Sequence, residues 1–250
     1  MKGVGYKEIF EVRGKSYNLA SQLCPAARAT ERQILLDLLN PTPGEVIIDA
    51  PAGGGYLADV IFSAGAMPVC VEPSEQFASS LSSSYLVKIS PMTAMPLADL
   101  YADKLGSLAG LHHFSRGERH LVFSEAYRVL KPGGVIAVAD VMAGSRVADF
   151  LNGTVDRYTH TGHDGLFFSA GDFSRLLLGA GFEVTSENYY GFDWSFPDEE
   201  TMVRYVKQIF GLDKASLRTV YDEVTKGLDV SIDERGVHVG WGLLYAHARK

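Results

Sequence analysis

The residues most suited to chemistry in this sequence are acids that end apolar runs. Val46-Ile47-Ile48 leads into Asp49-Ala50-Pro51-Ala52-Gly53-Gly54-Gly55, and Val69-Cys70-Val71 leads into Glu72-Pro73. A buried strand running into a glycine-rich turn brings backbone N–H groups close to a ligand, and an acid ending the neighbouring strand can hold two ribose hydroxyls. Asp49, Ala50, Gly53, Gly55, Glu72 and Pro73 are therefore candidates for contact with a ligand that carries a nucleoside.

The missing features narrow the ligand. A phosphate-cradling loop needs a Lys after its glycines, and none follows here. A dinucleotide turn reads Gly-x-Gly-x-x-Gly, whereas this one reads Asp-x-Pro-x-Gly-x-Gly. An acid at the mouth of the turn repels pyrophosphate and suits a ligand with an ammonium and a sulfonium, which points to S-adenosylmethionine. Over roughly residues 30 to 185 the chain resembles the class I S-adenosylmethionine-dependent methyltransferases of the small-molecule type. Their first motif, Asp/Glu-x-Gly-x-Gly-x-Gly, is matched by Asp49, Gly53 and Gly55, with Pro51 in place of the first Gly; Glu72 falls where their ribose-binding acid sits. Glu125-Ala126-Tyr127-Arg128-Val129-Leu130-Lys131-Pro132-Gly133-Gly134 is similar to their helix-to-strand corner before the fifth strand. The resemblance implies a Rossmann-like, doubly wound seven-stranded sheet with an antiparallel last strand between the fifth and sixth. It also implies an adenine contact near Ser90-Pro91-Met92, where Pro91 replaces the usual Asp and Met92 takes over.

Further polar residues are candidates for catalysis or substrate contact. His112 and His113 follow the fourth expected strand, at the reactive end of such a cofactor, and an imidazole there suits proton abstraction at neutral pH. Tyr158, His163 and Asp164 belong to an unusual polar stretch, Thr159-His160-Thr161-Gly162-His163-Asp164-Gly165, expected to touch substrate. His163 is the preferred base, because it lies in a loop without packing periodicity. His160 and His163 alone make a weak ligand pattern, so no metal is expected. In similar enzymes a residue of the N-terminal lead-in covers the methionine end of the cofactor, which points to Tyr17; Arg28 is a candidate for its carboxylate. Trp194 is a candidate for lining an apolar acceptor pocket.

The elements that must position these residues follow from punctuation and periodicity. Residues 1 to 24 read as a polar lead-in, and Pro25 opens a helix carrying Ile34, Leu35, Leu38 and Leu39 until Asn40-Pro41 stops it. Strands are expected at 45–50, 67–72, 86–90, 105–111, 135–141, 182–190 and 237–247. Helices are expected at 56–65, 74–84 and 115–130, and from a Ser169 cap through Leu178, ended by Gly181. The alternation requires a parallel sheet. The expected organisation is one domain over 1–250, with a lead-in and helix (1–40), a cofactor-binding core (41–141), a substrate loop (142–168) and a helical cap (197–228) inserted between strands six and seven. Helices inserted there are well placed to roof a site at the strand carboxyl ends.

At 250 residues, with 46% hydrophobic side chains, the chain can bury a core without disulfides. Its net charge of −7 offers no field for a phosphate backbone, so nucleic acid is not an expected partner. Cys24 and Cys70 lack metal or redox spacing, and no apolar run is long enough for a membrane or signal segment. The expectation is a cytoplasmic monomer or homodimer that methylates an O, N or C atom of a small molecule. The alternatives are an enzyme that consumes S-adenosylmethionine without an external acceptor, by cyclisation or lyase chemistry, and a cofactor-binding regulator without turnover.

Overall fold

The computed structural model describes residues 5–250. Two helices open the chain, α1 (Tyr6–Leu23) and α2 (Ala29–Leu39), followed by β1 (Val46–Asp49), α3 (Ala58–Ser63), β2 (Met67–Glu72), α4 (Glu75–Ala78), β3 (Leu86–Ile89) and β4 (Ala102–Leu108). The second half comprises α5 (Arg116–Val129), β5 (Leu130–Asp140), α6 (Arg146–Phe150), α7 (Asp156–Tyr158), α8 (Asp172–Ala180) and β6 (Glu183–Phe196). It ends with α9 (Glu199–Phe210), α10 (Leu217–Gly227), β7 (Val230–Asp233) and β8 (Gly236–Arg249). The sheet order is β3-β2-β1-β4-β5-β8-β6, with the first five strands parallel and β8 antiparallel to both neighbours. The last strand therefore lies between the fifth and sixth, as expected. β7 adds an eighth strand, pairing with the start of β8 while β5 pairs with its end.

Both faces of the sheet are buried, so β1, β2 and the second half of β5 are near-continuous apolar runs rather than alternating, while β4 carries Asp103 and Lys104 near its start. Ile47, Ala137 and Leu243 point into one cluster with α2, α6, α9 and α10, whereas Ile48, Ile136 and Leu244 point into the other with α5 and α8. Local signals fix several helix starts. Ser115 and Glu118 form a reciprocal capping box on α5, and Asp198 and Ser216 accept backbone N–H groups at the starts of α9 and α10.

The structure departs from the sequence reading in four places. The lead-in is an 18-residue helix, whose stripe of Tyr6, Ile9, Phe10, Arg13 and Gly14 is buried at helical spacing. Gly14 allows its close crossing with α4: a Cβ there would lie 2.7 Å from the Phe77 Cα. Pro25 sits in a turn, and α2 starts only at Ala29. Residues 146–158 of the expected substrate loop are helical, α6 and α7 being joined by a wide turn at Leu151–Val155, and the loop proper shrinks to the stretch around His163. Residues 197–228 do carry two helices after β6, but they are continuous with the core: Met202, Val206, Ile209, Val220 and Val224 are buried in the same cluster as Ile47 and Leu243.

Candidate active site

Four strands of the sheet end at one place. Asp49 ends β1, Glu72 ends β2, Asp140 ends β5, and β4 runs past Leu108 into Ala109, Gly110 and a short turn at Leu111–His113. Carboxyl ends of parallel strands are where an open α/β sheet leaves a crevice. That crevice holds two adjoining cavities, of about 50 and 60 Å³, which share Phe10, Tyr17, Arg28 and Ala109 as a common wall.

The first cavity is lined by Asp49, Gly53 and Gly54 of the turn and by Tyr6, Phe10 and Phe77. Asp49 is buried; its Oδ2 accepts the Ala58 N–H at 3.0 Å, and burial, opposed by that hydrogen bond, holds its carboxyl well above the ordinary range. Gly53 has φ +53°, and a Cβ there would lie 2.8 Å from the Phe77 ring, so glycine keeps this wall open. Glu72 is fully buried. Its Oε2 accepts the Tyr6 hydroxyl at 2.9 Å and the Gly53 N–H at 2.8 Å, and its Oε1 accepts the Ser74 N–H at 2.9 Å. Burial outweighs these three donors and pushes the Glu72 carboxyl up to about 7. The Tyr6 phenol is raised well above its usual range by burial and by Glu72.

The second cavity is largely apolar. Trp194 and Trp241 stack at 4.0 Å between ring centroids, Phe210 stacks on both, and Leu151, Ile209 and Leu243 complete that side. Opposite them stand His112, His113 and His163. His112 Nδ1 lies 2.6 Å from Asp140 Oδ1, and the buried Asp140 also accepts the backbone N–H groups of His112 and Val141. His163 Nδ1 lies 2.9 Å from Asn152 Oδ1, which accepts the Gly165 N–H as well. Burial first, and then mutual repulsion with His112 and Arg13, holds His113 and His163 well below the ordinary imidazole range. Both are therefore neutral at physiological pH.

Arg28 stands between the cavities. Burial works to lower it, but Glu31 and Tyr17 hold it above its usual range, through hydrogen bonds from the guanidinium to both side chains. Glu31 is itself held by the Trp194 Nε1–H at 2.9 Å. Arg13 has no carboxylate partner: its Nε is buried without an acceptor, and burial lowers the group to about 10.

The structure thus brings together Asp49, Gly53, Tyr17 and Arg28 around the first cavity, and His112, His113, His163 and Trp194 around the second; Glu72 lies behind the first cavity's wall, on the Tyr6 hydroxyl and the Gly53 N–H, and Ala50 is buried beneath the turn without lining it. Gly55, at φ +97°, shapes the turn but faces Leu81. Pro73 is buried beside Glu72, and Met92 is buried in one core cluster with Tyr6, Phe10 and Phe77; neither lines either of the two cavities. Tyr158 packs against the core through its ring, and Asp164 is exposed beyond His163, so neither reaches the expected substrate space. His160 pairs with Asp213 on the surface, away from His163's partners. Sequence reasoning missed Tyr6, Phe10 and Arg13 because the lead-in was not read as a helix. It also missed Asp140, although that residue ends an apolar run just as Glu72 does.

Residues 48–138 match the family model described as a methyltransferase domain. The matched segment runs from β1 into β5 and holds Asp49, the glycine turn and Glu72. A Thermotoga maritima structure described as a SAM-dependent methyltransferase aligns with a TM-score of 0.63 at 18% identity, covering 98% of this chain and 99% of its own. The [4+2]-cyclase SpnF aligns with a TM-score of 0.66 at 15% identity, covering 99% and 97%. A geranyl diphosphate methyltransferase in complex with SAM aligns with a TM-score of 0.55 at 14% identity, covering 88% and 84%. At these identities the likeness is one of fold. No curated protein matches the sequence. Among the described residues, no helix is long and apolar enough to cross a membrane.

Proposed function

We propose that this methyltransferase-family protein binds S-adenosylmethionine in the first cavity and methylates a small molecule held in the second. The observation that carries the reading is the continuity of the two cavities through Tyr17, Arg28 and Ala109. Bound S-adenosylmethionine would supply a methyl group made electrophilic by its sulfonium. Asp49 would face the cofactor's cationic end, Glu72 its ribose, and Arg28 with Tyr17 its carboxylate. We further infer that the Tyr6 hydroxyl stands in for a ribose hydroxyl on Glu72 and withdraws when the cofactor binds, since Glu72 has no exposed surface in its present state.

The chain's own contribution to catalysis is placement and exclusion of water. Trp194, Trp241 and Phe210 would orient an apolar or aromatic acceptor, and the three histidines would face its reacting atom. Calorimetry with S-adenosylmethionine, S-adenosylhomocysteine, NAD and ATP tests the first half of this reading; the first two should bind and the others should not. Release of S-adenosylhomocysteine with an acceptor library tests the second half. Cofactor consumption without any methylated product would point instead to an enzyme with no external acceptor.

A further inference from the structure

We propose that His112, His113 and His163 form a three-imidazole site for a borderline divalent transition metal such as zinc, with its open coordination position facing the apolar cavity. Side-chain ligand atoms of all three lie within 4.8 Å of one another. Rings bound through one nitrogen at ~2.0–2.1 Å around a tetrahedral zinc place their centroids roughly 5 Å apart. The His112–His163 and His113–His163 centroids are 5.4 and 5.3 Å apart. The neighbouring His112–His113 pair, at 4.1 Å, has only to open slightly.

The groups behind the rings fix which nitrogen is free. Asp140 is acceptor-only as a carboxylate and already takes two backbone N–H groups, so His112 Nδ1 donates to it and Nε2 keeps its lone pair. Asn152 is oriented by its Nδ2 donating to the Gly165 carbonyl at 3.0 Å, which leaves Oδ1 to accept from His163 Nδ1. His163 therefore also keeps its lone pair on Nε2. A histidine whose second nitrogen donates to a carboxylate or carbonyl is the arrangement found behind metal-bound imidazoles. These lone pairs face one pocket with the half-buried His113, whose ring has no hydrogen-bond partner among the described residues.

Ligand chemistry and charge select the metal and its remaining ligand. Imidazole nitrogen suits zinc, copper, iron or nickel and is a poor match for calcium or magnesium. Three protein nitrogens leave one position open, as in catalytic zinc sites. Asp140 supplies one negative charge behind His112, whereas Arg13, lining the same cavity without a carboxylate partner, disfavours an uncompensated dication. An anionic oxygen as the fourth ligand satisfies both the metal and Arg13. This assignment rests on the proposed function only in sharing the second cavity, where the acceptor would meet the open position; metal binding by the three imidazoles is tested without methyl transfer.

The test uses Co(II) as probe on chelator-treated full-length protein. One Co(II) per chain should bind, with the strong d–d absorption of four- or five-coordinate cobalt, and Zn(II) should displace it. Asn152→Ala should weaken affinity about 10- to 100-fold, and His163→Asn should abolish stoichiometric binding. His160→Gln, on the surface, should leave binding unchanged. Paramagnetic NMR of the loaded wild-type protein should show exchangeable imidazole N–H resonances from three histidines, a readout that does not depend on any variant folding. Absence of stoichiometric binding, a six-coordinate spectrum, or loss of the signal in His160→Gln would overturn the proposal.

Discussion

Replacing Tyr6 by Phe separates the ligand-free from the cofactor-bound state with a single oxygen atom. In the structure the Tyr6 hydroxyl donates to Glu72 at 2.9 Å in a fully buried setting. A hydrogen bond to a charged group contributes about 1.5–3 kcal/mol. At pH 8, where Glu72 with a pKa about 7 is ionised, Tyr6→Phe should lower the ligand-free stability by that amount. For a chain of this size the Tm loss is roughly 3–12 °C. If ribose hydroxyls take over both the position and the donor role, the bound state loses nothing. The cofactor affinity should then rise by the same free energy, about ten- to a hundredfold. Calorimetric titration with S-adenosylhomocysteine and a melting curve at the same pH measure both quantities. A lower Tm with unchanged or weaker affinity would show that Tyr6 stays on Glu72 in the complex, and would refute the exchange.

Three further outcomes follow from the same geometry. Glu72→Gln places an amide donor against the Gly53 or Ser74 N–H and leaves one uncharged acceptor oxygen where two ribose hydroxyls need a carboxylate, so calorimetry should show cofactor binding weakened by about 1.5–3 kcal/mol; unchanged affinity would exclude Glu72 from the site. The raised Glu72 carboxyl must lose its proton before accepting ribose hydroxyls, so affinity should increase between pH 6 and about 7, by up to tenfold per unit, and level off above. Conversely, its contribution to ligand-free stability is complete below about pH 4 and is lost as pH rises through about 7; affinity that falls from pH 6 to 8 contradicts this sign. Trp194→Phe removes the buried indole N–H from Glu31 while keeping the aromatic stack, and urea unfolding should register a loss of about 1.5–3 kcal/mol; a change of only a few tenths would mean that Arg28 alone satisfies Glu31.

The sequence by itself determined the cofactor half of this protein. Asp49, the Gly53–Gly55 turn and Glu72 lie within a short stretch of chain, and apolar runs ending in acids are local signals of buried strands that reach a crevice. The order of strands and helices was legible for the same reason, because both faces of the sheet are buried and β1, β2 and the second half of β5 read as near-continuous apolar runs. Tertiary structure alone decided the rest. The apolar stripe of α1 is interrupted by polar residues, and only its packing against α4 and α9 shows that Tyr6 reaches Glu72, 66 positions away. His163 joins His112 and His113 only because α6 and α7 make the chain between Asp140 and the loop helical, turning a ring that sequence spacing had grouped with His160 towards Asn152 and the cavity. Residues far apart in the chain converge through the summed burial of many side chains, and no short window of sequence records that sum.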